Sequence, residues 1–276
     1  MNSREDRRLN TPGRTPTLAA VASLVMLAAA AAGAQDDKKA PAIEPEAVAA
    51  IERMGDFLKT LTAYQVHAET TTDEVLVAGP KVQYGGTIEA TVRMPDRLRL
   101  SAVREDRDEQ QFFYDGSALT VWLEAQASWA SAPVPPTVGE MIAVVREKYD
   151  LALPLDDLIR DALRKELLKD VTAGIVVGPG RVAGVECDHL GFHEDGVDWQ
   201  LWIEKGERPL PRKLVITTLG EPSQPQHTEV LTWDLSPKID DAQFTFTPPE
   251  GAQRIVLAEP AAAKKGTPAA PKQEKH

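Results

Sequence analysis

The chain has 276 residues, with 31 Lys and Arg against 42 Asp and Glu, a formal net charge of -11, one Cys and five His. An acidic chain without a local basic patch does not track a phosphate backbone, so nucleic acid is excluded as a partner. One cysteine forms no internal disulfide and leaves no Cys pair for a structural zinc, while 21 Pro and 18 Gly argue against a helical bundle.

The N-terminus reads as an export signal. Arg4, Arg7, Arg8 and Arg14 precede an apolar run from Leu18 to Ala32, and Ala32-Gly33-Ala34 places small residues where a signal peptidase reads. Residues 1–34 are predicted to be a signal peptide cleaved between Ala34 and Gln35. The run is shorter than the roughly 20 apolar residues a spanning helix needs, so no transmembrane segment is expected in the mature chain. No cysteine stands near the cleavage site to take a lipid. Arg7-Arg8 leaves twin-arginine export open, although Leu9-Asn10-Thr11 do not continue that signal. Losing four arginines and two acidic residues moves the charge from -11 to -13. The mature protein is expected in the periplasm. Residues 35–44 are expected to be a loose lead-in, 45–257 a single domain, and the Ala/Pro/Lys-rich 258–276 a disordered tail, because it has too little apolar surface to offset its ordering entropy.

The domain opens with a predicted helix. Pro45 suits the first turn, and Val48, Ile51, Met54 or Gly55, Leu58 and Leu61 recur at helical spacing. The period then becomes two. Tyr64, Val66 and Ala68, then Ile88, Ala90, Val92 and Met94, then Leu98, Leu100 and Ala102 alternate with polar neighbours, as antiparallel strands with one wet face do. Asp115-Gly116 is a hairpin turn between 111–114 and 118–123, and another strand covers 128–132. Pro133, Pro135 and Pro136 stop the sheet. Thr137 with Glu140 makes a capping box for a helix carrying Val138, Met141, Ile142, Val145 and Tyr149. Asp156 or Asp157 caps a second, with Leu158, Ile159, Ala162, Leu163 and Leu167. Strands return near 173–178, 184–193, 197–204, 210–219 and 227–235. The order predicts an α+β fold: a single curved antiparallel sheet with helices packed on its concave face.

Chemistry-bearing residues are sparse. Cys187, His189, His193 and Asp195 form the only dense set of potential ligands, and the first three share a strand face. His189 and His193 lie about 13 Å apart on an extended strand, too far for one metal ion without a bulge. A metal-dependent enzyme therefore requires such a bulge, and no metal or cofactor is expected. No nucleophile elbow is present. The pair Asp156-Asp157 is explained by helix capping, and Glu105, Asp106 and Asp108 by a charged turn. Trp199 and Trp233 fall on apolar strand faces, Trp122 and Trp202 on mixed ones. A curved sheet lined by such residues suits an acyl chain.

GPKVQYGGTIEATVRMPDRLRL at 79–100, FFYDGSALTVW at 112–122, GVECDHLGF at 184–192, VDWQLWIEKGERPLPRKLVIT at 197–217 and DDAQFTFTPPEGA at 240–252 resemble a family of predicted periplasmic proteins, domain of unknown function 2092. A wider similarity is to the LolA/LolB and RseB group: a strand leading into a proline before an Arg-rich strand, a D-G hairpin ending in an aromatic, and F-T-F-T-P-P near the end. That resemblance implies a LolA-like half-barrel covered by helices, with an apolar cavity that holds lipid acyl chains in the carriers. The LolA pattern has a functional arginine directly before the proline, where this chain has Met94, with Arg93 one step earlier on the other face. Arg97 and Arg99 alternate away from Leu98 and Leu100 and are expected to be exposed. The leading expectation is a non-enzymatic periplasmic binding or carrier protein for a lipid or lipoprotein acyl chain. Its apolar lining would be Ile88, Val92, Met94, Leu98, Leu100, Trp199, Leu201, Ile203 and Trp233, with the helices at 137–149 and 155–167 as covers. The alternative is an envelope protein-interaction or stress-sensor module of RseB type.

Overall fold

A computed structural model describes residues 42–77, 79–159, 167–257 and 259. The signal segment with Ala34 and Gln35, nearly all of the lead-in, the tail beyond Leu257 except Glu259, and the middle of the second predicted helix, including Ala162 and Leu163, lie outside the described residues.

The described elements run α1 (Pro45–Lys59), β1 (Ala63–Val75), β2 (Lys81–Arg93), β3 (Arg97–Arg104), β4 (Arg107–Tyr114), β5 (Ala118–Leu123), β6 (Ser128–Pro133), α2 (Val138–Tyr149), α3 (Asp156–Ile159), β7 (Ala173–Val182), β8 (Val185–Glu194), β9 (Val197–Glu204), β10 (Pro211–Thr218), β11 (Gln226–Asp234), a 3-10 turn (Asp241–Phe244) and β12 (Gln253–Arg254). Local chemistry explains their limits. α1 starts at Pro45, with Glu46 in its first turn and Lys59 in its last, matching the helix dipole. Thr137 Oγ1 accepts the Glu140 N–H at 3.3 Å to start α2, and Asp150 closes it in the left-handed conformation. Asp115 Oδ1 accepts the N–H groups of Ser117 and Ala118, both at 2.9 Å, while Gly116 turns at φ +92°.

The strands form one sheet in the order β12-β6-β5-β4-β3-β2-β1-β11-β10-β9-β8-β7, so β1 is central and two meanders lead away from it. The expectation of a purely antiparallel sheet needs one correction: β12 pairs parallel with β6 through Gln253 and Arg254. The chain returns there from β11 across the opposite surface, which fixes its direction.

Register places both groups of helices on one face. Across seven strands, Leu190, Leu201, Leu214, Glu229, Thr70, Gly86 and Arg104 are successive partners and so share a side. A second row, Trp233-Val66-Ala90-Leu100-Phe112-Val121-Ala130, follows the same side toward β6. On this face two apolar clusters form separately. Tyr64, Val66, Val92, Leu98, Leu100, Phe112, Tyr114 and Leu119 pack with Met141, Ile142 and Val145 of α2 and Leu158 and Ile159 of α3. Ala47, Ala50, Ile51 and Met54 of α1 pack on Leu190, Phe192, Trp199, Leu201 and Ile203. Arg146 Nη2 ties α2 to α3 by donating to both Asp156 oxygens, at 2.7 and 2.6 Å.

Candidate functional site

An opening lies between the two clusters, where α1 ends and β1 begins. It is a cleft of about 190 Å³ bounded by Gly55, Leu58 and Lys59 of α1, by Leu61, Thr62 and Tyr64, by Met94 and Pro95, by Thr137, and by Leu158 and Ile159 of α3. Its walls are fixed by backbone bonds: the Met94 N–H donates to Thr62 O at 2.8 Å, and the Val138 N–H to Pro95 O at 2.8 Å. One wall of the space is a glycine. Gly55 sits inside α1, and a Cβ added there would meet nothing within 4 Å. A mid-helix glycine costs about 1 kcal/mol relative to alanine, so this position gives up helix stability and leaves a void.

A second opening of about 370 Å³ is lined by Arg208, Leu210, Arg212, Trp233, Asp234, Leu235 and Ser236. Tyr64, which lines the first opening, and Trp233, which lines the second, have ring centroids 5.5 Å apart. The Trp233 indole N–H donates to Pro211 O at 2.8 Å, which fixes that ring. Arg212 Nε donates to Glu204 Oε2 at 2.9 Å, and Asp234 Oδ1 accepts the Ser236 N–H at 2.8 Å.

The predicted lining residues are distributed unevenly around these openings. Val92, Leu98 and Leu100 are fully buried beneath α2, with Ile88 at the margin of the same cluster. Trp199, Leu201 and Ile203 lie beneath α1. Trp233 is half-buried and lines the second opening, and Met94 lines the cleft directly. The remaining cleft walls come from the helices, where amphipathic periodicity marks core and has no means of marking a vacancy. Arg97 and Arg99 are half-buried; Arg97 pairs with Asp96 at 2.9 Å, and Arg99 lies over the Phe113 ring, 5.2 Å from its centroid.

Cys187, His189 and His193 share the face opposite the helices and have separate environments. His189 stacks on Trp202 at 3.9 Å and contacts Gln200 through Nε2 at 3.0 Å, while His193 Nδ1 lies 2.6 Å from Asp198 Oδ1. Burial pushes the Cys187 thiol up, and its S–H donates to Val185 O at 3.5 Å. Among the described residues no three His, Cys, Asp or Glu side chains gather as a metal-ligand set.

A polar patch on the helix-bearing face escapes sequence reading. Thr72 Oγ1 lies 2.8 Å from His227 Nδ1, and His227 Nε2 lies 3.2 Å from the buried Glu229. The i, i+2 spacing of His227 and Glu229 places them on one strand face, but Thr72 joins only through the β1–β11 register.

Among solved structures, the chain is similar to the lipoprotein LppX of Mycobacterium tuberculosis at 15% identity and TM-score 0.47, covering 71% of this chain and 100% of that one. It is also similar to the MucA/MucB complex of Pseudomonas aeruginosa at 15% identity and TM-score 0.39, covering 73% and 61%. A LolA superfamily protein from Nitrosomonas europaea matches at 10% identity and TM-score 0.34, covering 72% and 97%. No curated protein matches the chain. The family model described as predicted periplasmic protein (DUF2092) matches residues 47–258, nearly all of the described helices and strands, and the chain therefore belongs to that family of predicted periplasmic proteins.

Proposed function

We propose that this is a non-enzymatic periplasmic binding protein that takes the apolar chain of a lipid-like ligand into the cleft beside Gly55. The observation that carries this reading is the void at Gly55, held open within a helix whose other inward positions are filled. Around it Leu58, Leu61, Tyr64, Met94, Leu158 and Ile159 supply the mostly apolar lining of a ligand pocket. Pockets for whole ligands run from about 300 to 1,000 Å³, so the cleft admits part of a chain as it stands. Enlargement comes by parting α1 from α2 and α3. The buried apolar residues of α1 belong to one apolar cluster and those of α2 and α3 to the other, so most of each group's buried packing lies on its own side of the cleft. In this reading the helix-bearing face is the concave side of a half-barrel, residues 45–257 are the binding domain, 1–34 the export signal and 258–276 a tail outside it. The predicted residues Ile88, Val92, Leu98, Leu100, Trp199, Leu201, Ile203 and Trp233 then form the floor on which the helices ride, with Met94 touching ligand.

Delipidated, refolded protein titrated with a fluorescent fatty acid tests the reading, with Gly55→Ala and Gly55→Leu as the pair of variants. Both raise helix propensity, so both should fold with an unchanged or higher Tm. Alanine should retain binding, and leucine, which fills the cleft, should weaken it at least tenfold. Absence of fatty-acid binding in the parent protein, together with lipid-free native mass spectra of protein taken from its own cell compartment, rejects the proposal. A single stoichiometric protein captured by crosslinking in place of lipid redirects the assignment to an envelope-interaction module.

A further inference from the structure

We infer that the ligand is a single-chain amphiphile with an anionic head, and that Arg208 selects it. The inference rests on the proposed apolar-chain site and adds the chemistry of the head. Two openings of different character approach each other where Tyr64 of the first lies 5.5 Å from Trp233 of the second, ring centroid to ring centroid. The first is lined mainly by aliphatic side chains. The second carries two guanidinium groups and one carboxylate.

The commitments of the nearby charges single out Arg208. Arg212 is held by Glu204, in a pair with both side chains largely buried. At the rim of the first opening, Lys59 lies 3.3 Å from Asp56. Asp234 is engaged by the Ser236 N–H. Arg208 is exposed, lines the second opening, and makes no ion pair or side-chain hydrogen bond among the described residues. A guanidinium offers a planar fork suited to a carboxylate or phosphate, and charge-assisted hydrogen bonds of this kind are about twice as strong as neutral ones. Trp233 lines the same opening as that fork, and its ring centroid lies 5.5 Å from that of Tyr64 in the cleft. With its N–H already committed to Pro211 O, it offers an aromatic surface along which an alkyl chain can pass from Arg208 toward Tyr64 and Met94.

The arrangement also offsets a global disadvantage. A chain with formal charge -11 repels anions at long range, so a preference for an anionic head must be local and short-ranged. Arg208 is an exposed cation lining the second opening, where such a short-range contact is available.

The test is competition for the full-chain protein loaded with a neutral fluorescent apolar probe, displaced by hexadecanoic acid or by hexadecanol at pH 8, with acetate alone as the headgroup control. The acid should displace the probe at about tenfold lower concentration than the alcohol, in line with one charged hydrogen-bonded contact, and acetate should displace nothing. Raising the salt concentration should narrow the ratio. In Arg208→Gln the acid-to-alcohol ratio should fall to about one. A parent ratio near one, a ratio unchanged in Arg208→Gln, or displacement by acetate overturns the inference while leaving the apolar-chain site standing. Failure of the neutral probe to bind overturns the site itself, and the two failures are thereby distinguished. A single-chain phosphate monoester in place of the acid separates the head types: equal displacement identifies recognition of negative charge alone, and a preference for the phosphate identifies a phospholipid-derived head, both of which support the anionic selection.

Discussion

Single side chains show how the structure balances packing against polarity. Tyr114 is fully buried, yet its hydroxyl donates to Pro135 O at 2.6 Å, joining β4 to the proline segment that leads into α2. Burial, reinforced by nearby Asp96, pushes the phenol up to about 12. The folded state therefore holds this proton more tightly than the unfolded chain, whose phenol titrates near 10. The stabilisation is fully present below about pH 10 and is lost as pH rises through the folded value. Tyr114→Phe should cost about 1 kcal/mol at neutral pH through the lost hydrogen bond. It should also flatten the decline in stability between pH 10 and 12, which urea unfolding at several pH values measures; an unchanged alkaline slope would contradict the assignment. Gly86 illustrates the opposite constraint to Gly55. A Cβ there would come within 2.6 Å of the Val103 carbonyl oxygen and 2.9 Å of Thr70 Oγ1, so glycine is required by close approach between β2 and its neighbours. The sequence shows two glycines without distinguishing the crowded one from the one beside a void.

At the scale of elements, the C-terminal segment acts as a strap on the surface opposite the helices. Phe244 is buried under the Arg93 guanidinium, and Phe246 lies 5.3 to 5.7 Å from the rings of Phe113, Trp122 and Trp129. Beyond it, the Gln253 N–H donates to Ala127 O and the Ile255 N–H to Trp129 O, both at 2.8 Å, which seats β12 on β6. Two strand residues bring too few backbone bonds to hold a segment alone, so the aromatic anchor is needed to secure the pairing. Phe246→Ala should therefore cost about 2 kcal/mol, below the loss for a fully buried phenylalanine because this ring is partly exposed. It should also raise hydrogen exchange at Gln253 and Ile255 selectively. Retained protection at those amides would show that β12 holds without the anchor. Helices α1 and α2 were legible from sequence because capping and a 3.6-residue period are local signals. The pairing of β12 was not, because Gln253-Arg254 has no periodicity and its partner lies far back in the chain.

For the molecule as a whole, the consequential feature is the division of the helix-bearing face into two apolar clusters. Ile51 and Met141 are each fully buried, one in each cluster. Ile51→Ala and Met141→Ala should each destabilise by about 2 to 5 kcal/mol, with a double mutant close to additive because distant sites without shared partners add within about 0.5 kcal/mol. Calorimetry or denaturant melts measure the sum. A large coupling would show one cooperative core and remove the basis for parting the helices around a ligand. Fatty acid at a fixed concentration should raise Tm in the parent protein and raise it less in Gly55→Leu, since stabilisation by a ligand of the folded state grows with the ratio of its concentration to Kd.

Alternating and helical periods along the chain were sufficient to determine the α+β class, the positions of most strands, α1 and α2, and the apolar face that became the core. These are short-range properties, set by which side of a strand or helix each residue occupies. The motifs at 79–100, 112–122, 184–192, 197–217 and 240–252 were sufficient to indicate the family. Tertiary structure alone decided that the predicted lining divides between two clusters, that Met94 borders the cleft while Val92 and Leu98 lie under helices, and that Arg208 and Trp233 line one opening. Those facts depend on which distant segments pack together, and a void such as the one at Gly55 is a relation among neighbours that no single stretch of sequence contains.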